Sequence, residues 1–321
     1  MSKGTSMNIE AFSRSKYKNS TKPGDDVILI EPDQVLAVFD GATDPTGAFY
    51  NGESSGRIAA RSAARCVADM LVRGTLDEAP AEMIFQEIST SVKTAAQERN
   101  VAHPASTTAA LAVKCGDMYR ILALGDTGVR LNGTKILQHH KIIDTVSTAA
   151  RIQVHKTLSQ RMDESDDVEF ATRQTIFLGL EAAIETGKLT RQETELAIQA
   201  ATQASGLPQS VVAEFLSGGI RTQFHYANAD HLLGFASLNG GQVIANGLTD
   251  LTIPASELES IEIFSDGYIS IPTSGIRCAD WEAEFTRVET EDFHKTGAFP
   301  AVKGSTSSET CDDRTVISAG I

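Results

Sequence analysis

Aspartate recurs at the ends of the short apolar runs of this chain. Val35 to Phe39 runs into Asp40-Gly41, Ile121 to Leu124 into Gly125-Asp126, and Ile261 to Ser265 into Asp266-Gly267; Asp312-Asp313 precedes Arg314 and Thr315 to Ser318, and Asp25-Asp26 precedes Val27. One Asp-Gly after a strand is ordinary turn chemistry. Carboxylates at five strand ends fit another demand, because strand termini are rigid and neighbouring strands bring side chains close together. Such a cluster repels itself unless a cation neutralises it. Hard divalent ions that prefer oxygen ligands, Mg²⁺ or Mn²⁺, are the natural partners.

The elements that must position these residues can be read from the same sequence. Residues 27–39 read as two strands split by Pro32-Asp33, and two long helices follow over Ser54 to Val72 and Glu82 to Asn100, the second with Phe85, Ile88, Val92 and Ala95 near helical spacing. Thr107 to Lys114 and Tyr119 to Leu124 form a hairpin about Cys115-Gly116-Asp117-Met118, and Val129 to Leu131 leads into the turn Asn132-Gly133. From about 148 to 230 helical signals take over, with Thr190 as N-cap, Glu193 at the capping-box position and an apolar face of Leu196, Ala197, Ala200 and Ala204. This stretch reads as a helical insertion or flap. Beyond it, residues 231–247, 260–271 and 314–321 read as short β-runs. The order predicts an α+β fold with antiparallel sheets, not regular β-α-β alternation.

Composition narrows the function. The chain has 321 residues, 41% hydrophobic and 22% charged, enough for a large core. The longest apolar runs, Val35 to Phe39 and Ala109 to Val113, fall far short of the roughly 18 residues of a membrane span. The first twenty residues lack an apolar h-region, so the expectation is a cytoplasmic protein without a membrane partner. Cys66, Cys115, Cys278 and Cys311 form no C-x-x-C pair, which fits a reducing compartment. The net charge of −14 argues against nucleic acid as partner. No G-x-G-x-x-G follows a strand, and neither a P-loop nor H-E-x-x-H occurs.

Taken in order, the acidic motifs resemble the metal-dependent protein phosphatases of the PPM, or type 2C, family. The resemblance spans nearly the whole chain: Asp25-Asp26 before a strand, Asp40-Gly41, Ser106-Thr107-Thr108, Gly125-Asp126-Thr127, Ser265-Asp266-Gly267, and Asp312-Asp313-Arg314-Thr315 entering the last strand. It implies one domain over 1–321, with 148–230 as a helical insertion, folded as a four-layer α-β-β-α sandwich of two antiparallel sheets flanked by helix pairs. It also implies two Mg²⁺ or Mn²⁺ ions, with a third in many members. Carried over, Asp40 bridges both ions and the Gly41 carbonyl binds one. Asp266 and Asp312 complete the other with Asp25 near it, Asp126 joins Asp266 at the third, and Asp26 and Asp313 stand behind the ligands.

The activity so implied is hydrolysis of phosphoserine or phosphothreonine in a phosphorylated protein by a metal-bridging hydroxide, with Asp40 and Asp266 in catalytic roles. The sequence departs from the family in two places. Ala42 stands where members commonly have a His, leaving Asp44 or Thr43 as the substitute. The stretch before Asp25 lacks the phosphate-binding Arg, leaving Lys22 and then Lys18. These departures keep two other readings in play, a non-catalytic (pseudophosphatase) metal-binding regulatory protein and a small-molecule phosphatase with the same site.

Three further features attract plainer readings. Residues 190–219 have helix-turn-helix spacing, but Arg191 is their one basic residue against Glu193, Glu195 and Glu214, which opposes DNA binding. His139 and His140 are adjacent and would point to opposite faces of a strand. Cys311 adjoins the acidic pair and reads as a structural thiol.

Overall fold

The computed structural model describes residues 8–321. Its first strands are β1 (Asn8–Arg14), β2 (Val27–Glu31) and β3 (Val35–Gly41), followed by the short pair β4 (Phe49–Tyr50) and β5 (Glu53–Ser54). Helices α1 (Ser55–Arg73) and α2 (Ala81–Glu98) come next, then β6 (Thr107–Cys115), β7 (Met118–Leu124), β8 (Gly128–Leu131) and β9 (Lys135–Leu137). A helical stretch comprises α3 (Ile142–Leu158), α4 (Ser165–Leu178), α5 (Leu180–Glu185), α6 (Arg191–Ser205) and α7 (Gln209–Gly218), closing with a 3-10 turn at Ile220–His225. Strands β10 (Leu248–Pro254) and β11 (Ser260–Phe264), helix α8 (Cys278–Glu291) and β12 (Arg314–Gly320) complete it.

Two five-stranded antiparallel sheets result, ordered β1-β12-β11-β8-β9 and β10-β7-β6-β3-β2. Alternation along each strand explains why both faces are apolar. In β3, Leu36 and Val38 meet Ile261, Ile263 and Ile317 of the other sheet, while Val35, Ala37 and Phe39 face α1 and α2. In β11, Phe264 turns outward with Val316 of β12 onto Trp281 and Phe285 of α8. The layers are therefore α-β-β-α, as the resemblance implied. The outer layer on the sheet that contains β11 and β12 is α8 in place of a helix pair.

Helices α3 to α7 enclose a core of their own, built on Val146, Ala150 and Val154 of α3, Ala197 and Ala201 of α6, and Phe215 and Leu216 of α7. This bundle opens at Ile142, earlier than residue 148. Helix α6 has the expected capping box between Thr190 and Glu193, but it buries Thr194, Ala197 and Ala201 and leaves Leu196 and Ala204 exposed. Several alanines around that helix left the sequence with no apolar contrast from which to choose a face. Residues 231–247 form loops, not a β-run, and the strand lies just beyond at β10.

One buried ionic group ties the bundle to the segment after α8. Arg151 on α3 is fully buried and donates to Glu169 on α4 at 2.5 Å, to the carbonyls of His294 at 2.6 Å and Lys295 at 3.1 Å, and to that of Ala301 at 3.2 Å. Arg173 also binds Glu169, at 3.0 Å, and reaches Glu309 at 2.8 Å. The bundle is thereby fastened to the approach to Asp312.

Candidate metal centre

Strand register gathers the acidic strand ends within each sheet, and sheet packing joins the two groups. Val27 pairs with Phe39, which places Asp25-Asp26 beside Asp40-Gly41. Phe264 pairs with Val316 on one side and Gly128 on the other, so Asp266 lies between Asp312-Asp313 and Asp126. The two sheets meet where the Asp266 N–H donates to Asp40 Oδ2 at 3.3 Å.

The backbone is packed tightly around this point. A Cβ on Gly41 would lie 2.5 Å from the Gly56 carbonyl oxygen, and one on Gly267 would lie 1.8 Å from that of Asp313, so the first turn of α1 and the start of β12 can approach only because both residues are glycine. Asp313 accepts the N–H groups of Lys16 and Asp25, each at 2.7 Å, and Ser54, the N-cap of α1, donates its hydroxyl to Asp25.

Three lysines enter the group. Lys16 Nζ, buried, lies 3.5 Å from Asp312 and 4.0 Å from Asp313; Lys303 Nζ lies 2.9 Å from Asp312; Lys141 Nζ lies 2.5 Å from Asp126 and 3.6 Å from Asp144. Facing them are Asp25, Asp26, Asp40, Asp126, Asp266, Asp312 and Asp313. Fully ionised, this group carries four excess negative charges, the charge of two divalent cations, and Asp144 beside Lys141 adds a fifth. The imbalance shows in the carboxyls themselves. Burial, then the fields of Asp26, Asp126 and Asp312, push Asp40 well above the usual carboxylate range, and burial, then Asp40, Asp126 and Asp312, do the same to Asp266. Asp312 goes the other way: burial opposes its ionisation, but Lys303 and Lys16 hold it below that range. The buried Asp26 Oδ2 has no hydrogen-bond partner. An oxygen-rich, under-neutralised group with an orphan carboxylate oxygen fits hard divalent cations.

The family model for protein phosphatase 2C matches residues 15–295. This chain belongs to the protein phosphatase 2C family. Asp25, Asp40, Asp126 and Asp266 lie within the matched stretch; Lys303, Asp312 and Asp313 lie beyond it. No curated protein sequence matches the chain. Among solved structures, similarity extends to a bacterial serine phosphatase (14% identity, 98% of each chain, TM-score 0.47) and to the Mycobacterium tuberculosis serine/threonine phosphatase PstP/Ppp (14%, 98% of each chain, 0.47). It also extends to the Staphylococcus aureus serine/threonine phosphatase Stp1 (13%, 99% of this chain and 96% of that chain, 0.47). At such values the family match, not superposition, carries the assignment.

In this phosphatase 2C chain three of the substitutes chosen from sequence for the missing His and Arg, namely Asp44, Lys22 and Lys18, make their contacts outside the carboxylate group. Asp44 is buried and organises its own loop, its Oδ1 accepting from Thr46 N at 2.8 Å, Thr46 Oγ1 at 2.6 Å and Ala48 N at 3.1 Å. Although burial opposes it, the hydrogen bonds from Thr46 keep that carboxyl below its usual range, the wrong direction for a proton donor. Lys22 lies over the rings of Tyr17 (3.8 Å) and Phe49 (4.4 Å) and lines a neighbouring cavity of about 570 Å³ with Arg14 and Arg57. Lys18 donates to the Thr306 carbonyl at 2.7 Å. The cations that do reach the centre, Lys16, Lys141 and Lys303, carry no motif, and nothing local in the sequence marks them. Thr43 is shared by two of them, Lys16 Nζ at 3.3 Å and Lys303 Nζ at 3.5 Å. His139 bonds Thr249 at 3.1 Å and His140 is exposed, so neither is drawn into the cluster.

Metal and pH should act together on stability. A carboxyl with a raised folded-state pKa stabilises the fold below its unfolded value of about 3.9 and loses that contribution as pH rises through the raised value. Asp40 and Asp266 thus weaken the metal-free protein at pH 8 relative to pH 5. The lowered Asp312 contributes equally at both, because its share is lost only as pH falls below about 3.9. Mn²⁺ at a hundred times its dissociation constant should add about 2.7 kcal/mol, with a larger rise in melting temperature at pH 8 than at pH 5. Equal shifts, or none, in melts with Mn²⁺ against EDTA would count against a metal centre here.

Proposed function

We propose that this protein is a metal-dependent phosphatase that hydrolyses phosphoserine and phosphothreonine monoesters in a phosphorylated protein. The observation that carries the reading is the meeting of Asp40 and Asp266 from separate sheets within one under-neutralised carboxylate group. Asp40, the Gly41 carbonyl, Asp266 and Asp312 would hold two divalent ions, Asp25 stands beside them, and Asp126 with Asp266 would take a third. Bound there, Mg²⁺ or Mn²⁺ supplies Lewis acidity and an activated water. Asp26 and Asp313 steady the segments that carry these ligands. We read residues 1–321 as one phosphatase domain, with the helical bundle inserted in it. The four free cysteines fit action in the cytoplasm, and no helix among the described residues is long and apolar enough to cross a membrane.

Lys303 takes the phosphate-binding role. Its ammonium is partly exposed beside Asp312, whereas Lys16 is buried behind the same carboxylate. A lysine binds phosphate as a point charge, without the bidentate fork of arginine. Replacing Lys303 with Met should raise KM for a phosphothreonine peptide about tenfold, the effect of about 1.4 kcal/mol, with a smaller change in kcat. Thiol chemistry has no part in the reaction. Burial pushes the Cys311 thiol up to about 11, so iodoacetamide at neutral pH should leave phosphate release unchanged.

The deciding assay follows phosphate release from p-nitrophenyl phosphate and from a phosphothreonine peptide, with Mn²⁺ and with EDTA. Mn²⁺-dependent release from both is expected. Release from the small ester alone would move the substrate to a metabolite. No release from either would favour a regulatory protein in which Lys16, Lys141 and Lys303 offset part of the carboxylate charge, a reading that their contacts with Asp312 and Asp126 support.

A further inference from the structure

A second set of ligating side chains lies where the helical bundle meets the segment after α8. His155 on α3, Glu169 on α4 and His294 beyond α8 each offer one ligand atom, and the three atoms lie within 4.8 Å of one another. His155 Nε2 is buried without a hydrogen-bond partner and stands 3.9 Å from Glu169 Oε2. Two atoms that can each present a lone pair, with no hydrogen bond between them, enclose a gap suited to an ion. Metal–ligand bonds of about 2.0 to 2.2 Å place two ligands of one zinc ion roughly 3 to 4 Å apart.

The surrounding bonds favour the same interpretation. His294 Nδ1 lies 3.1 Å from the Ser305 carbonyl oxygen. As an N–H donor there it leaves its lone pair on Nε2, and a donor bond of this kind commonly orients metal-bound imidazole. A carboxylate offers about four lone-pair sites. On Glu169, Arg173 and the Gly304 N–H take two on Oε1, and Arg151 takes one on Oε2. The remaining site is on Oε2, the oxygen that faces His155. The arginines repel a cation, yet they also hold Glu169 in one orientation.

We propose that His155, Glu169 and His294 form a second metal site, separate from the carboxylate centre, that takes a borderline ion such as Zn²⁺. Two imidazoles and one carboxylate suit zinc and leave a fourth position for water; Mg²⁺ has little affinity for imidazole. An ion there joins α3 and α4 to the segment that continues through Lys303 to Asp312.

Co²⁺ titration of the full chain tests the proposal, because four-coordinate Co²⁺ with nitrogen ligands absorbs visible light far more strongly than six-coordinate Co²⁺ among oxygens. One equivalent should give an intense band in the natural sequence and in the Asp40→Asn, Asp266→Asn double variant. The band should vanish in His155→Ala and in His294→Ala while their Mn²⁺-induced rise in melting temperature persists. Absence of the band from the natural sequence, or its survival in both histidine variants, overturns the proposal. Anomalous scattering at the zinc edge from crystals grown with Zn²⁺ gives an answer without any variant: a peak between the three side chains supports the site, and its absence refutes it. None of these outcomes bears on phosphate release.

Discussion

Asp40→Asn should lower kcat/KM for p-nitrophenyl phosphate at saturating Mn²⁺ by about a thousandfold, while the protein in EDTA melts no lower than the natural sequence. On the proposed reading, in which Asp40 would hold the divalent ions, its loss removes several kcal/mol of transition-state stabilisation, and each 1.36 kcal/mol is a factor of ten. The same change relieves the repulsion that pushes Asp40 and Asp266 upward, so a rise of up to about 1 kcal/mol in metal-free stability accompanies the loss of activity. Asp266→Asn should behave alike. Kinetics and melts on the same preparations check both halves. A variant that keeps activity within tenfold of the natural sequence removes Asp40 from the chemistry.

Arg151→Ala should cost about 3 to 5 kcal/mol of stability, the range for removing one partner of a buried ion pair. The guanidinium contacts Glu169 and the carbonyls of His294, Lys295 and Ala301. Its loss leaves those acceptors buried without their donor, and Arg151→Lys cannot replace a planar fork aimed in several directions. Urea unfolding reads the effect as a lower midpoint at unchanged slope. Because the segment from His294 leads to Lys303 and Asp312, Mn²⁺ should also bind Arg151→Ala more weakly. A variant as stable as the natural sequence would show that the bundle and this segment are held by apolar contact alone.

How far these features could be read from sequence depended on whether the chemistry prescribed a residue type. Aspartate at the strand ends was visible because the carboxylates recur at one kind of position, and packing of the two sheets then brings Asp40 and Asp266 into contact. The hairpin of β2 and β3 and the helices α1 and α2 were legible from alternation and helical spacing. Strand β10 was hidden because it is an edge strand, only partly buried along its length, and the more apolar stretch before it drew the assignment. Helix α8 does carry Trp281, Phe285 and Val288 at helical spacing, but Glu282, Glu284, Glu289 and Glu291 mask that stripe. Lys16 and Lys303 reach the same carboxylate from opposite ends of the chain. No local pattern encodes such a pairing, and a lysine on a loop looks like solvation until the fold is known.

Strand β12 lies between β1 and β11 and delivers Asp312 and Asp313 to the centre. A nascent chain still inside the ribosome at residue 314 therefore has two unpaired strand edges, and its Asp25, Asp40 and Asp266 lack their closing neighbours. Synthesis runs at about 5 to 20 residues per second and domains fold as units, so the helical bundle, with its own core, has time to form well before the sheet can close. Assembly of the carboxylate group therefore waits for β12, and a chain interrupted before that strand carries most of the acidic residues without their closing neighbours.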